Sequence, residues 1–488
     1  MKRKLSALLA GAVAACVLSQ SALAAPGDII KVLKGDMNMD KTISIVDVVE
    51  LRSHIVGGKN HSQNAELIGD MNGDKAADVV DVVIMRSVIV GNTPYDTEDE
   101  SNYIEVTEEE EVFSLETGLT DAMKKASLVS EGNLSRLARV IKKAQAGEEI
   151  TFACLGGSIT QGSSATDNYG YAYLLRDWFE ATFPQAKINY VNAGIGATDS
   201  HLGIYRLERD VLSQDPDLVI VEFSVNDTSP KINAATYEAV VRTILSHETD
   251  PAVMLLFMTQ ENGTSLVDTH MPIGEYYDLP MISYKNAIMP VIERGDIVWD
   301  DISPDNIHPN DAGHKLVAGL VENFLDGVIA KVDMVSGEYE IPAEPKSADC
   351  EKYSNAIIAN RENGGINIIS SGDFADYKGN EKFKGCWQWK PESSEQTGAL
   401  EFEVTAKTVS LVYKEMTSRG GKVEVYINGE RKRVVDADFK NGWGSYPENV
   451  NIFSSDTPQK VNIKLVPVYN SDDVTKNTFI VYGFGVSK

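Results

Sequence analysis

The sequence predicts an α/β fold, a parallel sheet covered by helices on both faces, with a small repeated module before it and an all-β region behind it. Three observations carry this. From about Leu134 to Ile329, short apolar runs alternate with amphipathic helical stretches. Near the front, one 24-residue segment occurs twice. After about Pro342 the helical periodicity stops and short alternating strands take over. With 488 residues the chain exceeds the ~250–300 residues at which a single core stops growing, so several folded units are expected.

In the α/β region the apolar runs are Ile150–Leu155, Ile188–Asn192, Leu218–Phe223, Val253–Met258 and Ile297–Trp299, with stretches such as the one from Tyr171 between them. Strands that are apolar throughout belong in a sheet buried on both faces. Ligands of such sheets bind where the strand ends meet the loops.

Hydrophobic residues make up 43% and charged residues 24% of the chain, the balance of an ordinary folded protein. The net charge of −27 argues against nucleic acid, which needs a basic footprint, and against anionic membrane surfaces. Residues 1–24 read as a signal peptide: Lys2, Arg3 and Lys4, an apolar run from Leu5 to Leu18, and a small-x-small site at Ala22-Leu23-Ala24. The run contains Val13-Ala14-Ala15-Cys16, which resembles a lipobox, so lipidation at Cys16 is a competing reading. No other stretch reaches the ~18 apolar residues of a membrane span. Of the later cysteines, Cys350 and Cys386 could pair, while Cys154 lies in an apolar run and reads as a buried strand residue.

The repeat sets GDMNMDKTISIVDVVELRSHIVGG, from Gly35, against GDMNGDKAADVVDVVIMRSVIVGN, from Gly69, with about 15 of 24 positions identical. Each copy places oxygen-bearing side chains at positions 1, 3, 5, 9 and 12 of a loop: Asp36, Asn38, Asp40, Ser44 and Asp47, then Asp70, Asn72, Asp74, Asp78 and Asp81. Thr42 and Ala76 at position 7 would offer backbone carbonyls. Hard cations such as Ca²⁺ take six to eight oxygens at such spacing, so two structural calcium ions are expected. Asp stands where an EF-hand has its last Glu, Lys41 and Lys75 stand at the turn glycine, and no helix precedes either loop. Residues 28–92 therefore resemble a dockerin, and the resemblance implies docking onto a cohesin of a scaffold protein. Partner choice would rest on the apolar pairs Ile45-Val46 and Val79-Val80. Residues 93–112, acidic and poor in apolar periodicity, read as a linker.

Four polar clusters fall at strand ends of the α/β region, 113–335. Ser158 stands in Gly156-Gly157-Ser158-Ile159-Thr160, a glycine-rich strand-to-helix turn that projects its hydroxyl; a phosphate loop is the alternative, but no GK[ST] follows. Asn192 to Thr198 contains Gly196, and Ser224 to Asp227 contains Asn226. The N–H of Ser158, the N–H of Gly196 and the amide of Asn226 could together stabilise an oxyanion. Asp305-Asn306-Ile307-His308 offers a base with its own carboxylate three residues away, which a serine nucleophile needs. His314, further into the following helix, reads as a packing or capping residue.

In this order the four clusters resemble the SGNH (GDSL-like) hydrolases. The resemblance covers about residues 130–330. It implies a three-layer α/β/α, flavodoxin-like fold with Ser158 as nucleophile, Gly196 and Asn226 as oxyanion donors, and Asp305 and His308 as acid and base. No cofactor is implied for catalysis. Two positions depart from the pattern: Gly157 stands where many members have Asp, and Ser224 where many have Gly.

Residues 342–488 carry short alternating strands, from Gly398, Thr408, Lys422, Lys460 and Phe479, which suggest a β-sandwich of jelly-roll kind. Trp387, Trp389, Trp443 and Tyr446 are candidates to stack on sugar rings. With the dockerin-like module, the family resemblance points to a secreted cellulosomal esterase that removes O-acetyl groups from plant cell-wall polysaccharide, as acetylxylan esterases do. The alternatives are a scaffold-docked carbohydrate-binding protein with a weakly active hydrolase domain, and an esterase for pectin acetate, feruloyl or lipid esters.

Overall fold

The structure, a computed structural model, describes residues 29–56, 64–107 and 113–488; the stretch read as a signal peptide, with Cys16, lies outside them. The chain divides into two compact units, residues 1–111 and 112–488.

In the first unit, β1 (Ile29–Leu33), α1 (Ile45–Ile55), α2 (Ala65–Gly69), α3 (Val79–Ile89) and β2 (Tyr103–Thr107) enclose a small core that includes Val48, Leu51, Ile68, Val82 and Met85. Each repeat is a loop followed by one 11-residue helix. Ser44 and Asp78 cap these helices, and Asp47 and Asp81 complete the capping boxes, a pairing that satisfies two orphan N–H groups at each helix start. The segment read as an acidic linker contains a strand: β2 runs antiparallel to β1, with Val32 opposite Ile104. Its alternation, Tyr-Ile-Glu-Val-Thr, is too short to stand out beside the acidic residues around it.

The second unit begins with the α/β layers. Strands β3 (Leu128–Ser130), β4 (Glu149–Gly156), β5 (Lys187–Gly194), β6 (Leu218–Glu222), β7 (Ala252–Phe257) and β8 (Met281–Ser283) form one sheet in the order β3-β8-β7-β6-β4-β5. All neighbours are parallel except β3, which runs antiparallel to β8. The five parallel strands follow the flavodoxin-like order, and its switch point lies between β4 and β6. Two hydrophobic clusters lie on the two faces of the sheet: alternate residues of β4, Phe152 and Cys154 against Ala153 and Leu155, divide between them.

One expected strand is displaced. Ile297–Trp299 is not in the sheet; Trp299 opens a short helix, Trp299–Ile302, and the last parallel position belongs to Met281–Ser283. That strand has three residues, below the length at which an apolar run separates from a helix end.

Beyond residue 342 the chain is all-β, with every strand pairing antiparallel and the path led by two long strands, Leu400–Glu415 and Tyr446–Val468. Trp387 and Trp389 are fully buried in its core. This region also shares a hydrophobic cluster with the α/β layers: Tyr353, Ile358 and Val412 pack with Leu202, Tyr205 and Tyr237. Cys154, Cys350 and Cys386 are free and buried, so the pairing open to Cys350 and Cys386 is not made. Among the described residues no helix is long and apolar enough to cross a membrane.

Candidate active site

Ser158, Gly196 and Asn226 lie after β4, β5 and β6, the three strands around the switch point. Ser158 is the first residue of a one-turn helix, Ser158–Gln161. Its own N–H therefore lies in the first turn, where the helix dipole favours negative charge.

The side chains predicted to act together meet. His308 Nε2 lies 2.8 Å from Ser158 Oγ, and His308 Nδ1 lies 2.8 Å from Asp305 Oδ2. The other carboxylate oxygen, Asp305 Oδ1, accepts the N–H groups of Ile307 and His308, each at 2.7 Å. Burial pushes the Asp305 carboxyl up, but those two N–H groups and the imidazole outweigh it and hold it below the ordinary carboxylate range. Asp305 is thus ionised wherever the imidazole needs it. Trp299 Nε1 and the Ser303 hydroxyl donate to Asp305 O, each at 2.6 Å, fixing the turn. His314 is fully buried and accepts the Tyr171 N–H at Nδ1; burial pushes its pKa down to about 4. Burial also raises the Cys154 thiol, which leaves it inert.

Both departures from the family pattern have a structural counterpart. A side chain at residue 157 would place its Cβ 2.1 Å from Asn226 Oδ1. The Asn226 carboxamide fills the room that an Asp would take, which brings it against the Ser158 turn. Ser224 uses its hydroxyl to donate to Met258 O at 3.1 Å and accept Met258 N–H at 2.7 Å, tying the end of β6 to that of β7.

The structure adds a residue that sequence reasoning missed. Gln161 Oε1 accepts the Gly196 N–H at 2.7 Å. Ser158 and Gln161 are three apart on one helical turn, hence on one face, and the Cα of Gly196 faces both. A substrate oxygen reaching for the Gly196 N–H must replace the glutamine oxygen. The i, i+3 spacing was the available signal. Buried Glu222, Asp227 and His270 were also missed. Glu222 Oε2 accepts the Thr160 hydroxyl at 3.3 Å, and His270 Nε2 meets Asp227 Oδ2 at 2.9 Å.

In the first unit, Asp36, Asp47, Asp70 and Asp81 are buried. Asp36 accepts the N–H of Asp40 and Lys41; Asp47 accepts those of Asn38 and Ser44. The second loop repeats this, Asp70 taking Gly73, Asp74 and Lys75, and Asp81 taking Met71, Asn72 and Asp78. Asn38 and Asn72 each donate a side-chain N–H to the following Asp, Asp40 and Asp74. Thr42 and Ala76 sit at the seventh position, and their N–H groups go to Asp40 and Asp74. Among the described residues no three His, Cys, Asp or Glu converge as a metal centre. The donor set is nevertheless all oxygen, as a hard cation requires. Four buried carboxylates without a basic partner among the described residues also leave negative charge for a cation to neutralise.

A doubly wound sheet with a serine after its first parallel strand and a Ser–His–Asp line across its edge is the arrangement of a serine ester hydrolase. The chain belongs to the GDSL-like lipase/acylhydrolase family, whose profile matches residues 154–316. A two-domain esterase active on acetylated mannans, crystallised with mannopentaose, is 31% identical, with a TM-score of 0.66 over 75% of this chain and 98% of its own. A second crystal structure of such an esterase gives 30% identity and the same TM-score, over 75% and 99%. An acetylxylan esterase of Geobacillus stearothermophilus is 25% identical over 211 residues, 36% of this chain and 93% of that protein. The chain is accordingly an ester hydrolase.

Proposed function

We propose that this is an exported serine esterase that removes O-acetyl groups from plant cell-wall polysaccharide, with Ser158 as nucleophile, His308 as base and Asp305 as its orienting acid. His308 Nε2 takes the Ser158 proton as Oγ attacks the acetyl carbonyl. The oxyanion is received by the N–H of Ser158, the N–H of Gly196 once Gln161 gives way, and the amide of Asn226. Collapse breaks the ester bond, and His308 returns the proton to the departing sugar oxygen, which leaves as a hydroxyl. Water then attacks the acetyl-enzyme through the same base, releasing acetate and free Ser158. The observation that carries this reading is the unbroken line from Asp305 Oδ2 through His308 to Ser158 Oγ, two contacts of 2.8 Å.

The acetylated substrate is supported by the relatives, one active on acetylated mannans and one an acetylxylan esterase. Trp443, 74% exposed and stacked on Tyr446 with ring centres 4.8 Å apart, suits contact with a sugar ring; buried Trp387 and Trp389 do not. The front module is read as a dockerin that binds two Ca²⁺ through Asp36, Asn38, Asp40, Thr42, Ser44 and Asp47, and through Asp70, Asn72, Asp74, Ala76, Asp78 and Asp81. Cohesin would take the exposed apolar residues beside them, among them Val46, Val79 and Val80, and hold the enzyme on an extracellular scaffold.

Acetate release from acetylated mannan, xylan and pectin, by the wild type and by Ser158→Ala, tests the reading. Release by the wild type alone is expected, with mannan or xylan preferred. Equal rates for the two proteins would remove Ser158 as the nucleophile.

A further inference from the structure

The proposed oxyanion donors come from different strand ends, so their spacing depends on whatever joins those ends. Ile195 N–H donates directly to Gly156 O at 3.2 Å, and Arg206, in the helix Ser200–Asp210, spans the same two ends. It is fully buried, where a guanidinium is rarely found unless it is paired; its Nε has no partner among the described residues, and its bonds all come from the two terminal nitrogens. Nη1 donates to Ala193 O at 2.6 Å and to Asp210 Oδ2 at 3.1 Å; Nη2 donates to Gly156 O at 2.8 Å and to Thr198 Oγ1 at 3.2 Å. Gly156 is two residues ahead of Ser158, and Ala193 and Thr198 bracket Gly196.

The peptide whose carbonyl Arg206 holds has a buried side chain on its other side. Its N–H, that of Gly157, faces the buried Glu222 carboxylate. Asp210 does not account for Arg206, because Arg209 already meets both of its oxygens at 2.6 and 3.0 Å. Three of the four acceptors of Arg206 are neutral oxygens. What the site uses is the planar fork, which reaches two strand ends at once; a lysine in its place would be a point donor.

We propose that Arg206 is a positioning residue for the oxyanion site: its fork fixes the distance between the Ser158 turn and the Gly196 loop, and so between their two backbone N–H donors, without touching substrate. The proposal rests on the reading of Ser158 as nucleophile. It separates binding from chemistry, because the donors act on charge that develops only after attack.

The test uses full-length Arg206→Lys and Thr198→Val, assayed with p-nitrophenyl acetate well below their unfolding temperatures. Phenylboronic acid is the second probe: its boron accepts the Ser158 oxygen, the proton passes to His308, and an anionic B–O group enters the oxyanion site. A displacement of about an ångström costs up to about 100-fold, so kcat should fall about 10- to 100-fold for Arg206→Lys, with KM within twofold. Thr198→Val loses one acceptor of Arg206 together with the Thr198 hydroxyl's own bond to Ile195 O at 2.8 Å, so kcat should fall about three- to tenfold; Arg206→Gln, which keeps the Ile195 bond, serves if the lysine variant does not fold. Boronate Kd should rise by the factor that kcat/KM loses. Any folded variant with kcat within twofold of the wild type overturns the proposal, as does a loss of kcat with boronate affinity unchanged. Ser158→Ala separates the two readings. Background activity there with an unaltered Arg206→Lys overturns the positioning role alone, and wild-type activity there overturns the nucleophile reading and this proposal together.

Discussion

The Ser158 turn and the two acidic loops are all short turns that lead into a helix, yet they are held in opposite ways. Around Ser158 the contacts come from afar: His308 is 150 residues away and Arg206 reaches Gly156 across 50, both fixed by the core of the second unit. In the loops the carboxylates bind the backbone of their own repeat, Asp47 reaching Asn38 nine residues back and Asp81 reaching Met71 ten back. The helices that follow leave apolar residues such as Val79 and Val83 more than 60% exposed. A site assembled by long-range packing has its nucleophile, base and acid in line before its ligand arrives. One closed on itself leaves buried carboxylates and exposed apolar residues at its own surface, which is where the proposed calcium and partner would act.

The largest effect should come from breaking the long-range site. Asp305→Asn leaves the shape but accepts poorly from His308 and favours the wrong tautomer, so kcat should fall by about 10³ to 10⁴ with the melting temperature unchanged. Single-turnover kinetics check it, and a loss below tenfold would show that Asp305 does not orient the base. The converse applies to the loops. Calcium at a hundred times its Kd adds about 2.7 kcal/mol per site, so EDTA should lower the first calorimetric transition by several degrees and leave kcat unchanged. A thermogram indifferent to EDTA would remove the calcium reading.

What the sequence made legible follows the same division. The Ser158, Gly196, Asn226 and His308 clusters stood out because each is a polar break at the end of an apolar run, a local signal. The repeat was legible because duplication needs no structure to detect. Arg206 and Glu222 were hidden: nothing in their neighbours reveals that a charged side chain turns inward, since it is the assembled sheet that covers them, with Arg206 reaching Gly156 across 50 residues and Glu222 reaching Thr160 across 62. The same holds for Gly157, whose missing side chain is explained by Asn226, 69 residues on in the chain. Strand Met281–Ser283 was lost to its brevity, and Ile297–Trp299 was taken for it because apolar content alone cannot distinguish a strand from core-facing residues of a turn.

Buried Glu222 makes the long-range site sensitive to pH. Burial raises its pKa from 4.5 to about 8, so the folded protein keeps a proton that the unfolded chain has lost. Stability from this group is complete below pH 4.5 and is lost as pH rises toward 8, by an amount on the order of a few kcal/mol. Glu222→Gln cannot ionise and should abolish that part of the decline. Denaturant midpoints of both proteins at pH 5 and pH 8 measure it, and parallel declines would mean that Glu222 does not titrate as its surroundings imply.

The smallest effect lies in the loops. Lys41 and Lys75 have φ of 72° and 75°, the left-handed region that costs a non-glycine residue roughly 1–2 kcal/mol. Both N–H groups are bonded to the first aspartate of the loop, at 2.7 and 2.9 Å, and glycine would keep those bonds. Lys75→Gly relieves the strain and pays back about 0.5–1 kcal/mol in unfolded-state entropy, a net gain of about 0.5 kcal/mol in the first unit. At Gly157, by contrast, φ is −90° and what is lacking is space, with Asn226 Oδ1 2.1 Å from where a Cβ would sit, so Gly157→Ala should lose activity where Lys75→Gly gains stability. Chemical denaturation of the calcium-loaded chain resolves the gain; a lowered midpoint for Lys75→Gly would show that the lysine stem contributes more packing than its backbone costs.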